Sequence, residues 1–252
     1  MVKGLDVFRN HFRSYISRYI LIGGTACDLA MEEAGLPFRA TKDLDIVLCI
    51  EALDREFVEA FWNFIRIGGY QIQEKASGKK QYYRFMKPAN KLFPYMLELF
   101  SRKPDALSIA NDSHLTPIPT EEEVSSLSAI LLDDGYYSFI TQGKRERDGL
   151  PVIGADRLIP LKARAWLDLN YRRQQGETID SKNIRKHKND VFRLYQVIEP
   201  GNLVSVPSII AKDLRLFFSL ISPEAIDLKS LGLESTTIES IIAELKRIYG
   251  LD

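Results

Sequence analysis

The chain has 252 residues, of which 45% are hydrophobic and 27% charged, and 34 Lys and Arg balance 34 Asp and Glu. This length suits one large domain or two small ones with a buried core. The balanced charge excludes a basic field over the whole chain, although local basic patches remain compatible with it. No apolar run approaches the roughly 20 residues that span a bilayer, so we expect a cytoplasmic protein without membrane contact.

The first half of the chain alternates between helical patterns and short apolar runs typical of strands. The elements predicted there are, in order, a helix over 5–18, a strand over 20–22, a helix over 26–33, a strand over 43–50, a helix over 53–67, and strands over 69–75, 81–86 and 95–100. This succession is typical of an α/β unit built around a small mixed sheet.

The middle of the chain, over 114–153, is less regular. A strand is predicted over 136–141, after a turn-forming cluster at 133–135. The segment 124–132 fits either a strand paired with it or a short buried helix. The fold of this region is therefore open at this point.

From residue 156 onward the helical period of apolar residues dominates. The four helices predicted there span 156–173, 181–198, 208–221 and 236–249. We therefore expect an α+β fold, with an N-terminal α/β domain over 1–153 and a C-terminal helical domain over 154–252.

A glycine pair and an acidic pair, separated by a helix-length segment, form the most informative pattern. Gly23, Gly24 and Thr25 directly follow an apolar strand, where backbone amides at a helix start can approach phosphates. Asp43 and Asp45 are two residues apart on a predicted strand, so their side chains share one face. Adjacent carboxylates repel each other unless a cation compensates them. The pattern predicts a divalent metal, Mg²⁺ or Mn²⁺, beside a phosphate-binding turn.

A third carboxylate on a neighbouring strand would complete a two-metal site of the kind used in phosphoryl transfer. Glu98 is the candidate, because it interrupts the apolar strand predicted over 95–100. It would bind one metal and help to deprotonate the acceptor; exposure on an edge strand is the structural alternative. Asp43, Asp45 and Glu98 are therefore the predicted catalytic and metal-binding residues.

These residues resemble the nucleotidyltransferase superfamily related to polymerase β, in which a Gly-Gly or Gly-Ser turn and a helix precede an acidic pair on a strand. The segment 39–45, Arg-Ala-Thr-Lys-Asp-Leu-Asp, resembles the AbiEii-like branch in particular. Segments 158–165 and 186–194 resemble two later helices of that branch. The chain departs from the family pattern at Thr25, where Ser is commoner, and at Glu98, where Asp is usual.

The resemblance implies further site residues and a function. Lys162 would contact the nucleotide phosphates, and Asp190 would order that site from the next helix. The implied enzyme is a Mg²⁺-dependent nucleotidyltransferase that moves an NMP from an NTP to a hydroxyl or phosphate acceptor on RNA or protein. AbiEii-like enzymes often act as toxins, so the implied setting is toxin–antitoxin or phage-defence biology with a cognate antitoxin as partner.

Other functions remain open at this point. A non-catalytic nucleotide-binding or interaction module on the same fold is favoured by Glu98 in place of aspartate and opposed by the intact acidic pair. A nucleotidyltransferase acting on a small molecule, such as an antibiotic, would use the same site. Basic clusters over 144–147 and 182–188 fit either contact with an RNA backbone or an ordinary solvated surface.

Overall fold

The computed structural model of the chain describes residues 2–74, 80–103, 115–117, 128–199, 201–221 and 226–251. The chain divides into two compact units, the first comprising residues 1–29 and 37–153 and the second residues 30–36 and 154–252. The first unit contains a mixed β-sheet with helices, and the described part of the second is helical. The predicted α+β class is confirmed.

The strands of the first unit form one sheet. They are β1 (Tyr19–Ile22), β2 (Asp43–Leu48), β3 (Gln71–Glu74), β4 (Lys80–Met86), β5 (Met96–Ser101), β6 (Leu115–Pro117), β7 (Ser128–Leu131), β8 (Lys144–Arg147) and β9 (Leu150–Ile153). Across the described part of the sheet the order is β3-β4-β5-β2-β1-β9-β8, and β7 pairs with β5 and β6. Strand β2 is central, since it runs antiparallel to β1 and parallel to β5.

Helices accompany the sheet and make up most of the second unit. Those assigned in the described residues are α1 (Leu5–Phe12), α2 (Gly23–Glu33), α3 (Arg55–Gly68), α4 (Asp134–Gln142), α5 (Ala155–Gln174), α6 (Ser181–Tyr195), α7 (Ser208–Ile221) and α8 (Ile238–Ile248), with short 3-10 helices at Ile50–Ala52 and Lys229–Leu231. None of the described helices combines the length and the apolar character needed to cross a membrane.

Aromatic rings from α1, β1 and α3 form the core of the first unit. Phe12 is fully buried, and its ring centroid lies 4.5 Å from that of Phe8 and 5.2 Å from that of Phe64. Helix α3 packs its apolar face against this cluster. The N-cap residue Asp54 fixes the start of the helix, because its side chain accepts a hydrogen bond from the Phe57 amide at 2.9 Å. The cluster holds β1, and hence the residues that follow it, in a rigid setting.

The second unit packs α5 against α6 and α7 around its own core. Trp166 of α5 meets Phe217 of α7 edge to face, with ring centroids 5.3 Å apart. The buried Tyr249 donates its hydroxyl to the carbonyl of Asp156 at 2.8 Å, and burial raises the pKa of this phenol. This hydrogen bond joins the start of α5 to the residue that follows α8.

The strand predicted over 136–141 is wrong, because these residues belong to α4. Asp133 accepts a hydrogen bond from the Gly135 amide at 2.8 Å, so the predicted turn is in fact a helix start. The buried side chains then recur at helical spacing: Tyr136, Tyr137, Phe139 and Ile140. A run of buried aromatic residues is compatible with a strand or a helix, and here the cap decides between them.

Several further predictions differ from the structure in their bounds. Helix α1 ends at Phe12 and not at residue 18, because the chain turns there to enter β1. Helix α2 begins directly at Gly23 and not at residue 26. Of the segment 124–132, residues 124–127 lie outside the described residues, and Ser128–Leu131 forms β7.

The hairpin of β8 and β9 is absent from the predicted elements. Its turn consists of Asp148 and Gly149, whose φ angles are 49° and 73°, and Arg147 pairs with Leu150 across it. Asp-Gly is the residue pair that favours this turn, since both positions need a positive φ. The Asp-Gly pair in the sequence indicates this turn, but the charged residues of β8 lack the apolar alternation by which a strand is predicted.

Replacing Phe12 by Ala should lower the free energy of unfolding of the first unit by about 3–5 kcal/mol, because a fully buried ring is lost. Leu92→Ala removes a side chain that is 70% exposed. That control should change the free energy by less than about 0.5 kcal/mol. Urea denaturation followed by Trp62 fluorescence, in a Trp166→Phe background, measures both changes. Equal effects would show that the aromatic cluster is not the stabilising core.

Candidate active site

Gly23 allows the start of α2 to lie directly against the acidic strand. It follows β1 immediately and has a φ of +67°, in the left-handed region. A Cβ at this position would lie 2.6 Å from Cγ of Asp45 and would overlap its Oδ2. Any side chain here would therefore displace the Asp45 carboxylate.

Gly24 makes a second close approach, to the segment that precedes the acidic pair. A Cβ on Gly24 would lie 2.5 Å from the hydroxyl oxygen of Thr41 and 3.8 Å from a guanidinium nitrogen of Arg39. The two glycines thus face different parts of the same segment. The predicted turn and the predicted acidic pair are in contact in the structure.

Thr25 fastens the start of α2 to β2. Its side chain is fully buried, and its hydroxyl donates a hydrogen bond to the carbonyl oxygen of Asp43 at 2.8 Å. Helix α2 begins at Gly23 and not at residue 26, so Thr25 lies within its first turn. A direct contact of Thr25 with a phosphate stays a prediction.

The acidic pair lies on the more accessible face of β2. Asp43 and Asp45 are half-buried, whereas Leu44 and Ile46 between and beyond them are buried, as the alternation of the strand predicts. Asp45 is the register partner of Glu98 on the parallel strand β5. Neighbouring strands are about 4.8 Å apart, and residues in register share a face, so these two acids are neighbours.

Glu98 is paired with a cation from the protein itself. Arg84 on β4 is its register partner, and Arg84 Nε donates to Glu98 Oε1 at 2.6 Å while Nη2 donates to the same oxygen. The side chain of Glu98 is only 12% exposed. A guanidinium–carboxylate contact of this kind is a charge-assisted hydrogen bond and is stronger than a neutral one.

The residues fit a metal held by two carboxylates better than one held by three. Among the described residues, no three His, Cys, Asp or Glu side chains are grouped so as to hold a metal ion. Asp43 and Asp45 offer hard oxygen donors on one face, and Mg²⁺ in proteins commonly takes one or two carboxylates together with substrate phosphates. Ligation through Glu98 Oε1 would compete with the two contacts that Arg84 makes to that oxygen. Its role as a metal ligand stays a prediction.

Lys162 and Asp190 form a buried ion pair within the second unit. Lys162 Nζ on α5 lies 3.2 Å from Asp190 Oδ2 on α6, and the two side chains are 5% and 0% exposed. Arg193 Nη1 lies 3.5 Å from the other oxygen of Asp190. Burying charges costs free energy that the pairing must offset, so each partner depends on the other. Their predicted roles at a nucleotide stay predictions.

The sequence-based prediction of the site misses Arg84. It interrupts the aromatic strand β4 as Glu98 interrupts β5, and opposite charges on two neighbouring strands often pair. That signal was available. The register that sets the two residues opposite each other depends on strand pairing between distant segments, which the sequence alone does not define.

Comparisons with known proteins identify no family. The chain matches no protein-family model and no curated protein. It is similar to the structure of an antigenic nucleotidyltransferase-like protein from Paracoccidioides brasiliensis, with a TM-score of 0.45 and 14% identity over 93% of each chain. JHP933 from Helicobacter pylori gives a TM-score of 0.41 and 16% identity, over 98% of this chain and 88% of that one.

A third similar structure is the Megavirus polyadenylate synthase, with a TM-score of 0.39 and 10% identity. The similarity covers 88% of this chain but only 36% of the viral protein. At such low scores and identities, these similarities support no conclusion about activity or substrate. The functional argument therefore rests on the residues and their geometry.

Gly23→Ala should destabilise the first unit more than the backbone strain alone explains. Gly149 belongs to the same unit and also has a left-handed φ, +73°, but a Cβ there would meet only Arg9 Cδ, at an ordinary 3.9 Å, so Gly149→Ala is the matched control. That control should cost about 1–2 kcal/mol of unfolding free energy. Gly23→Ala should cost more, because Asp45 must also move. Urea denaturation measures both, and equal losses would mean that the Gly23–Asp45 contact is not tight.

Lys162→Met and Asp190→Asn should each lower the unfolding free energy of the second unit by about 3–5 kcal/mol, because each leaves a buried charge uncompensated by its main partner. The double substitution should cost clearly less than the sum of the single ones. Urea denaturation followed by Trp166 fluorescence, in a Trp62→Phe background, completes this cycle. Additive losses would argue against a coupled pair.

Proposed function

We propose that the chain is a Mg²⁺-dependent nucleotidyltransferase that moves an NMP from an NTP to a hydroxyl or phosphate acceptor. The observation that carries the proposal is the contact between Gly23 and Asp45, which sets a carboxylate pair against the start of a helix. Carboxylates suit a hard divalent cation, and a helix start suits phosphate. Nucleotidyl transfer needs both, because its catalysis consists mainly of positioning and of neutralising charge on phosphate oxygens.

In the proposed reaction each residue of the turn and strand has a role. Asp43 and Asp45 would hold the metal, which when bound neutralises charge on the triphosphate and activates the attacking oxygen. Backbone amides at Gly23 and Gly24 would receive the phosphates. The acceptor oxygen forms a bond to the α-phosphorus as the bond from that phosphorus to the pyrophosphate breaks, and the acceptor's proton leaves to a nearby carboxylate or water. Thr25 positions the turn through its hydrogen bond to Asp43.

The resemblance to AbiEii-like enzymes implies nucleotide-binding roles for Lys162 and Asp190 as well. Lys162 would contact the phosphates and Asp190 would hold its ammonium in place. The 3.2 Å ion pair between them supports the second of these roles. A lysine ordered by a buried carboxylate loses less rotamer freedom when it meets a phosphate.

A second candidate function is a nucleotide-binding module with little or no catalysis. The observation in its favour is the contact of Arg84 with Glu98, which occupies the third carboxylate of the expected site. Such a module would bind an NTP at the glycine turn without transferring it. The intact Asp43 and Asp45 favour the enzyme.

The acceptor and the biological setting are further parts of the proposal. The resemblance to AbiEii-like enzymes supports a cytoplasmic toxin or phage-defence protein acting on RNA or protein, with a cognate antitoxin. Lys182 and Arg185 are exposed on α6 and would suit an RNA backbone.

A toxin should arrest growth on expression, and Asp45→Asn should relieve the arrest; growth arrest that persists in this variant would argue against a transferase toxin.

Transfer of label from an NTP labelled in its α-phosphate, with Mg²⁺ and total RNA or protein, tests the enzyme directly. Asp45→Asn should lower the rate at least about 100-fold, since a metal supplies several kcal/mol of charge stabilisation. Removal of Mg²⁺ by EDTA should have the same effect. Asp6→Asn, which changes an exposed aspartate on α1, should leave the rate unchanged.

The same assay distinguishes the two candidate functions. Absence of transfer from all four NTPs, together with NTP binding that Asp45→Asn does not weaken, would support the binding module and exclude transfer to RNA or protein. Repeating the assay with a panel of small hydroxyl-bearing molecules tests the antibiotic-type alternative.

A further inference from the structure

Arg84 lies in a row of side chains that includes a residue of the candidate site. Cross-strand register sets Asp45, Glu98 and Arg84 side by side on β2, β5 and β4. Residues in register share a face of the sheet, so a guanidinium lies in the same row as the proposed metal-binding carboxylate Asp45. The positive charge is therefore part of the candidate site.

The Arg84–Glu98 contact is more enclosed than an ordinary surface ion pair. Its two side chains are 32% and 12% exposed, whereas those of Arg55 and Glu59 on α3 are 63% and 53% exposed. Exposed pairs are screened by water and contribute little, while a partly buried carboxylate is held by its partner. Two nitrogens of Arg84 also donate to one oxygen, which fixes the direction of Glu98.

The formal charges of this row and of the neighbouring Asp43 favour a single divalent cation. Asp43, Asp45 and Glu98 together would attract two metal ions, as two-metal sites do. With Arg84 included, the formal charge of the four side chains is that of the aspartate pair alone. A second metal would have to displace the guanidinium from Glu98 Oε1 or bind beside it.

We infer that Arg84 holds Glu98 out of the metal coordination sphere, so that the site takes one divalent cation through Asp43 and Asp45. This inference rests on the proposed function, because it assumes that the aspartate pair binds a metal. Arg84 is in this view a positioning residue that supplies fixed positive charge at the third carboxylate. Glu98 then has no ligand role, contrary to the expectation from the sequence.

Titration of the full chain with Mn²⁺, followed by the electron paramagnetic resonance signal of the free ion, tests this inference without relying on activity. The wild type should bind about one Mn²⁺ per chain, and Arg84→Gln should bind about two, since it releases Glu98 to complete a two-metal site. Arg84→Lys keeps the cation and should restore the single site. Arg55→Gln, which breaks the exposed pair on α3, is the matched control and should leave the wild-type count unchanged.

The double variant Arg84→Gln/Glu98→Gln separates a change in ligands from a change in folding. It has the formal charge of the wild type and an amide pair in place of the ion pair, so it should again bind about one Mn²⁺ per chain. Circular dichroism checks that every variant is folded. If Arg84→Gln does not fold, the double variant still decides the matter: it should bind its Mn²⁺ as tightly as the wild type does, and clearly weaker binding would show that Glu98 is a ligand.

The outcomes distinguish this inference from the proposed function. Two Mn²⁺ per wild-type chain, or a single Mn²⁺ in a folded Arg84→Gln chain, would overturn the role of Arg84 and leave the nucleotidyltransferase proposal intact. Asp45→Asn should abolish binding of the single ion. If the wild type binds no Mn²⁺, or if Asp45→Asn binds as the wild type does, the metal site of the proposed function fails, and the inference fails with it.

Discussion

The contact of Gly23 with Asp45 is the constraint on which the candidate site depends. Strand β1 ends and α2 begins without an intervening loop, so the first helical residue lies against the neighbouring strand β2. Only a residue without a Cβ leaves room there for a carboxylate. The helix start and the acidic pair are thus brought together by the absence of a side chain, and Thr25 fixes the arrangement with one buried hydrogen bond.

Charge compensation organises the polar residues around this contact. Glu98 is paired with Arg84 in the first unit, and Asp190 is paired with Lys162 and Arg193 in the second. In each case a poorly accessible carboxylate has a cation from the protein, as the cost of an uncompensated buried charge requires. Under the proposed function, a metal ion and the nucleotide that the ion carries would add to the compensation of the aspartate pair.

Elements with a strong local pattern were predictable, and elements that depend on partners were not. The helices α5 to α8 and the strands β2 to β5 follow their apolar periodicity. The segment containing Tyr136 and Tyr137 was misassigned, because a short run of buried aromatic residues fits both a helix and a strand. Its N-cap residue Asp133 was the deciding feature, and a local hydrogen bond of this kind outweighs a weak periodic signal.

The sequence by itself determined the chemical types of the candidate site: two glycines at a strand-to-helix junction, and two aspartates on one face of a strand, both of which follow from local geometry. Only the tertiary structure decided which of these groups touch. The register of β2 with β5 and of β4 with β5 sets Asp45, Glu98 and Arg84 in one row. A shift of one strand by one residue would turn each of its side chains to the opposite face of the sheet. The register therefore depends on the packing of the whole sheet, and no single segment of the sequence determines it.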